Sequence, residues 1–266
     1  MTMHAFATSR SCAGGSLGAA RRAWPALAAL LLAGLAPGAA AGERCAAPEP
    51  ACIVALAAAD ARRVEDTRRQ ALLLARAGVV AAAMGRGDAT ALVGEGLQTA
   101  LRLEDAAARA ETLVDIVLLV EGGGIDGVAA RAAFEAAAVQ LPAAEREPLG
   151  AELRDPPPPP ARGDGTIPPA AAAALPATHP WRQSQDAIRL AAEGDFAAAR
   201  RLARAITHPG WRADALTAIV GYTATDAVDS VLPVAGEAMA ATAAIADPDW
   251  RASVRLDLAQ ALPAGS

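Results

Sequence analysis

A chain of 266 residues that is 53% hydrophobic but only 3% aromatic has ample apolar material for a core. Much of that material is alanine, the strongest helix former, so an all-α fold is predicted. All 24 positive charges are arginine, which excludes a P-loop lysine and a Schiff-base lysine.

Residues 1–41 read as an export signal. Arg10, Arg21 and Arg22 give a positive n-region, Trp24 to Leu35 an apolar stretch short for a bilayer span, and "GAAAG" (38–42) a small-residue cleavage site. The expected localisation is periplasmic or secreted, with no integral membrane segment after cleavage. Without those three arginines, 21 remain against 29 acids, a net charge of −8, which disfavours nucleic acid and anionic lipid as partners. Cys12 falls within the leader. Residues 42–52 form a tail in which Cys45 and Cys52 flank a proline-bent "CAAPEPAC". In an oxidising compartment this spacing predicts a disulfide that staples the tail to the first helix. Metal ligation is the alternative, without a histidine nearby.

From residue 53 onward a period emerges. Val64, Leu103, Ile206 and Ile245 each open a segment with an acid or histidine two places on and an alanine at the eighth place. Arginine holds the seventh place in three of them, and Gln70 in the first. Both Val64 to Leu103 and Ile206 to Ile245 span 39 residues, the signature of stacked helical hairpins. Asp247 and Pro248 suit the N-cap and first position of a helix whose apolar stripe is Trp250, Val254, Leu258 and Ala261. Gly194-Asp195 predicts the turn into a second helix. The expected architecture is an α-solenoid of hairpins in two lobes, 53–141 and 177–262, with a tail at 263–266. A Pro-rich linker, 142–176, joins the lobes. Its "PPPPP" run (156–160) argues against helix and for a stiff extended spacer.

Trp181, Trp211 and Trp250 stand at one repeat position, where each is expected to wedge against the preceding hairpin. The rival reading is an exposed aromatic ladder on a groove. Arg251 lies four residues after Asp247, and Arg109 four after Asp105, the spacing of an intrahelical ion pair. Arg212 has His208 there instead. In stacked repeats Arg109, Arg212 and Arg251 would align, and the alternative is a row of guanidinium groups for a partner's carboxylates. His179 and His208, both before proline, read as capping or turn residues. No catalytic, cofactor-binding or metal-ligating set emerges from the motifs.

"AAEGDFAAARRLARAI" (191–206), with small residues around a Gly-Asp turn, resembles the tetratricopeptide-like helical repeats of bacterial envelope proteins. "DPDWRASVRLDLA" (247–259) is similar to the opening of HEAT-like repeats. The resemblance implies an adaptor or scaffold that binds another protein, without enzymatic activity or cofactor. The competing expectation is an envelope enzyme such as a glycan hydrolase, with Glu111 and Asp115, one helical turn apart, as acid and base. The disulfide is directly testable: a thiol assay on chain recovered from the periplasm should find no reactive thiol until reductant is added. Two reactive thiols without reductant would refute the bond.

Overall fold

The computed structural model describes residues 45–156, 174–223 and 228–263. The export signal therefore lies outside the described residues, as do residues 157–173 of the expected linker. Among the described residues the fold is all-α, with eleven helices: α1 (Pro50–Ala61), α2 (Thr67–Ala83), α3 (Ala89–Ala100), α4 (Ala106–Gly122), α5 (Val128–Ala138), α6 (Ala143–Arg154), α7 (Pro180–Ala192), α8 (Phe196–Ala205), α9 (Pro209–Thr223), α10 (Val228–Ala243) and α11 (Pro248–Ala261).

Local chemistry sets the boundaries. The carboxylates of Asp66, Asp105 and Asp195 each accept from the backbone N–H three residues on, and Asp247 from that of Asp249. These bonds satisfy donors that the first turn leaves open. Pro180, Pro209 and Pro248 open their helices, where a missing N–H costs nothing. The turns α2–α3, α4–α5 and α7–α8 all use a glycine at positive φ: Gly85 at 69°, Gly124 at 74° and Gly194 at 85°. After each, the next N–H returns to a carbonyl five residues back, on Ala81, Val120 or Leu190, the glycine-closed helix end that a Cβ would strain. Helices α2 and α3 approach closely because Gly78 and Gly96 face the opposing backbone, leaving no room there for a side chain.

The pairing of helices departs from chain order. Helix α7 pairs with α8, α9 with α10, α2 with α3 and α4 with α5, as sequential hairpins should. The remaining hairpin is composite, because α11, the last described helix, pairs with α1, the first described. Contacts between first helices of successive hairpins then run α7, α9, α11, α2, α4, with α6 against α4. Within residues 43–266 the described helices belong to one compact unit. One continuous apolar cluster includes Ile53, Val54 and Leu74 from the first half and Leu216, Leu256 and Leu258 from the second. A second cluster lies beneath α2 to α6. The reason is elementary: α1 and α11 each bury one face against their own neighbours and have an apolar flank left, which only the other can cover.

Charge fixes how they meet. Asp60 of α1 is 3% exposed and Arg255 of α11 is 8% exposed. The Arg255 guanidinium binds one carboxylate oxygen of Asp60, and Arg251 Nη2 lies 2.8 Å from the other. Burial works against the Arg255 cation, and the Asp60 charge opposes that loss. On the adjoining surface, Arg69 of α2 makes a two-pronged contact with Asp249 at 2.8 and 3.0 Å. Arg76 meets Asp257 at 2.5 Å.

The Cys45–Cys52 disulfide is present, with the Cα atoms 5.9 Å apart. It ties the tail to the first turn of α1. One expectation is corrected: α6 occupies residues 143–154 of the stretch read as a non-helical linker. Leu149 and Leu153, four residues apart, dock on the second apolar cluster. That burial outweighs Pro148, which takes one donor from a short peripheral helix.

Replacing Asp60 with Ala leaves the Arg255 charge buried and unmatched, and should cost about 3–5 kcal/mol of unfolding free energy. Removing Glu95 from its exposed pair with Arg62 should cost no more than about 1 kcal/mol. Urea denaturation of the two variants would refute this account of the joint if their losses were equal.

Candidate functional site

Each of the three aligned arginines reaches backward over the loop that precedes its helix. Arg109 Nη1 donates to the Leu103 carbonyl at 2.7 Å, Arg212 Nε to that of Ile206 at 2.7 Å, and Arg251 Nη1 to that of Ile245. The acceptor is always the aliphatic residue six places earlier. Gln70, in the equivalent place of α2, does similar work, its Nε2 donating to the Arg62 carbonyl at 2.9 Å. The intrahelical pairs expected with Asp105 and Asp247 do not form, because those carboxylates are spent on capping. Helical side chains lean toward the N-terminus, and a loop carbonyl wedged between helices needs a donor.

The clamp leaves the rest of each guanidinium free for a second contact, and here the three differ. Arg109 Nη2 donates to Gln140 Oε1 at 2.5 Å. Arg251 takes Asp60. Arg212 makes no ion pair among the described residues and instead lines a cavity of ≈ 340 Å³ with Arg204, Pro209, Leu216, Glu237, Ala240, Ala241 and Ala244. Glu237 is held by Arg200 and by both Nε and Nη2 of Arg204, the latter at 2.9 and 2.5 Å. These guanidinium groups hold its carboxyl down to about 2. Two guanidinium groups thus hold one carboxylate, and with Arg212 on the cavity wall they leave a local positive excess on an acidic chain.

Two of the tryptophans, Trp211 and Trp250, pack between hairpins. Trp250 of α11 meets Trp211 of α9 edge-on, with centroids 4.9 Å apart and planes at 68°. His208 stacks on Trp250 at 5.2 Å and 28°. The Trp250 ring lies against Gly210, with no space for a Cβ there. Its Nε1 donates to Asp214 at 3.4 Å. All three tryptophans are half-buried. Trp181 Nε1, Ser184 Oγ and Thr217 Oγ1 are buried without a hydrogen-bond partner. His179 Nδ1 accepts from the Trp181 N–H at 3.2 Å, and His208 Nδ1 from that of Trp211 at 3.5 Å.

Asp214 has no signal in the sequence beyond being an acid inside a helix. Burial pushes its carboxyl up to about 7, the Trp250 N–H pulls it partway back, and the Asp257 charge adds to the rise. The acids proposed for glycan hydrolysis are arranged differently. Arg68 of α2 reaches Glu111 at 3.2 Å and Asp115 at 3.1 Å, so a single cation serves both, and both are about half exposed. No group of three or more His, Cys, Asp or Glu among the described residues is placed to hold a metal.

The raised Asp214 carboxyl has a stability consequence. The folded state keeps a proton that the unfolded chain releases near pH 4, so stability falls as pH rises from about 4 to about 7 and then levels. The change is on the order of 4 kcal/mol at full effect. Asp214→Asn should flatten this slope and stabilise the chain at pH 8 relative to the parent. Parallel slopes from denaturant titrations at several pH values would overturn the assignment.

No helix among the described residues is long and apolar enough to cross a membrane. No family model matches the chain, and neither a curated protein nor a solved structure matches it.

Proposed function

We propose that this chain is an exported protein–protein interaction module, an adaptor or scaffold built from tetratricopeptide-like hairpins, which holds its partner at the Arg204–Arg212 cavity. The reading is carried by one observation. At Arg212 the repeating clamp is left with a guanidinium facing an open, alanine-walled cavity, whereas at Arg109 and Arg251 the same group is engaged within the chain. Stacked hairpins suit this role because their first helices line up and offer successive side chains to an extended partner. The acidic balance of the chain favours a protein over nucleic acid, with attraction confined to the local positive excess. The n-region arginines and the disulfide favour an oxidising compartment outside the cytoplasm.

The glycan-hydrolase alternative is less well supported. A general acid at neutral pH needs a carboxyl raised by burial or by a like charge, and Glu111 and Asp115 share the Arg68 cation instead. A photo-crosslinking residue in place of Ala240, exposed at the cavity wall, tests the proposal in intact cells. The expected product is one dominant protein adduct that forms again between the purified components. Adducts with cell-wall glycan, or none, would overturn the interaction reading.

A further inference from the structure

The fold contains one filled version and one open version of the same place. In the composite hairpin, Arg251 clamps the Ile245 carbonyl and its remaining nitrogen takes Asp60, which lies four residues before Val64. In the preceding hairpin, Arg212 clamps the Ile206 carbonyl in the same manner. The residue four before Ile245 is Ala241, and it lines the cavity with Arg212. One turn along the first helix, Arg255 in the filled hairpin corresponds to Leu216 in the open one, and Leu216 is also a cavity wall. The three residues of the buried ionic cluster thus correspond one for one to three residues of the cavity. Arginine is kept, while the carboxylate and the second guanidinium are replaced by small and apolar side chains.

We propose that this cavity binds an aspartate side chain of a partner protein, seated against Arg212 where Asp60 sits against Arg251. The surrounding chemistry selects the flanking residues too. Asp60 is presented by "AAADA" (57–61), and the open site is walled by Ala240, Ala241, Ala244 and Leu216, so small apolar neighbours fit and bulky or acidic ones do not. Glu237, the one acid lining the cavity, is already matched by Arg200 and Arg204, which leaves the Arg212 charge for the incoming carboxylate. A guanidinium in such a setting makes charge-assisted hydrogen bonds that a neutral amide cannot replace at equal strength. This inference rests on the interaction reading above and specifies the chemistry of the partner at that cavity.

The test has an internal and an external arm, both on the full chain with its disulfide. Ala241→Asp places the missing carboxylate within the chain. With Arg212 present the substitution should leave Tm unchanged or raise it. Combined with Arg212→Gln, a change for which Gln70 is the precedent within this fold, it should lower Tm well below that of Arg212→Gln alone. An equal fall in both backgrounds would show that Arg212 does not reach this place and would overturn the proposal. In the external arm, the Arg212 Nε–H and Trp211 indole signals are followed by NMR during titration with acetyl-Ala-Ala-Ala-Asp-Ala-amide. Controls are the Asn version of the peptide and tetra-alanine with a free C-terminal carboxylate.

The Asp peptide should bind at least about tenfold more tightly than the Asn peptide. Arg212→Gln and Ala241→Asp should each abolish that preference. Equal binding of the Asp and Asn peptides, no binding of either, or a preference that survives Ala241→Asp would each overturn the proposal. Binding by the free C-terminus alone would replace the aspartate with a terminal carboxylate, and so refute the side-chain assignment. If the Asp peptide fails while the Ala240 crosslink still captures one protein, the aspartate proposal falls and the interaction reading stands. Loss of the crosslink with the peptide still bound would give the reverse.

Discussion

A carboxylate with almost no exposure, held by the guanidinium groups of Arg251 and Arg255, joins α1, the first described helix, to α11, the last described. Taking such charges out of water is expensive, and an ion pair in this setting contributes less to net stability than its short contacts suggest. Its effect is on register. Ala58, Ala61 and Ala259 would let α1 and α11 slide past one another at small cost, since alanine surfaces have little shape. Asp60 makes one alignment tolerable and its neighbours prohibitive, because any slip leaves a buried charge without its counter-charge. The exposed pairs Arg69–Asp249 and Arg76–Asp257 continue the same alignment onto α2, with far less at stake.

The two ends of the array inherit their places from that joint. Helix α6 packs on α4, and α7 on α8 and α9, so α6 and α7 stand at opposite ends of the stack. The cavity at Arg212 lies one hairpin away from the joint, on the α9 side. A single arginine position therefore serves as loop clamp in three hairpins, and differs only in what its spare nitrogen finds: a glutamine, an aspartate, or open space.

Features with a local cause were legible in the sequence. The glycine turn at Gly194 and the caps at Asp195 and Asp247 follow from nearest-neighbour chemistry, and the 39-residue interval marks hairpins for the same reason. Repeat counting could align Arg109, Arg212 and Arg251, but it offered the aspartate four residues back as the partner of Arg109 and Arg251. Their actual acceptor is a backbone carbonyl, which no side-chain pattern displays. The joint was invisible for a different reason. Asp60 reads as one acid in an alanine run, and its partners lie so far along the chain that no period connects them. Helix α6 was hidden by neighbouring prolines, although Leu149 and Leu153 already had helical spacing. Asp214 became distinctive only when Trp250, from another hairpin, closed over it.

The composite hairpin also orders events in time. Asp60 and Arg255 are 195 residues apart in sequence, so their contact closes a loop that embraces nearly the whole described chain, the kind of contact that forms slowly and late. During synthesis the hairpins from α2 to α5 can assemble as they emerge, but α1 must wait with an uncovered flank until α11 is made. A chain cut short before Pro248 would carry that exposed flank permanently, and would be open to proteolysis and association there. Folding of the described residues thus finishes where it starts, at α1, and the presence of α11 is the condition for covering it.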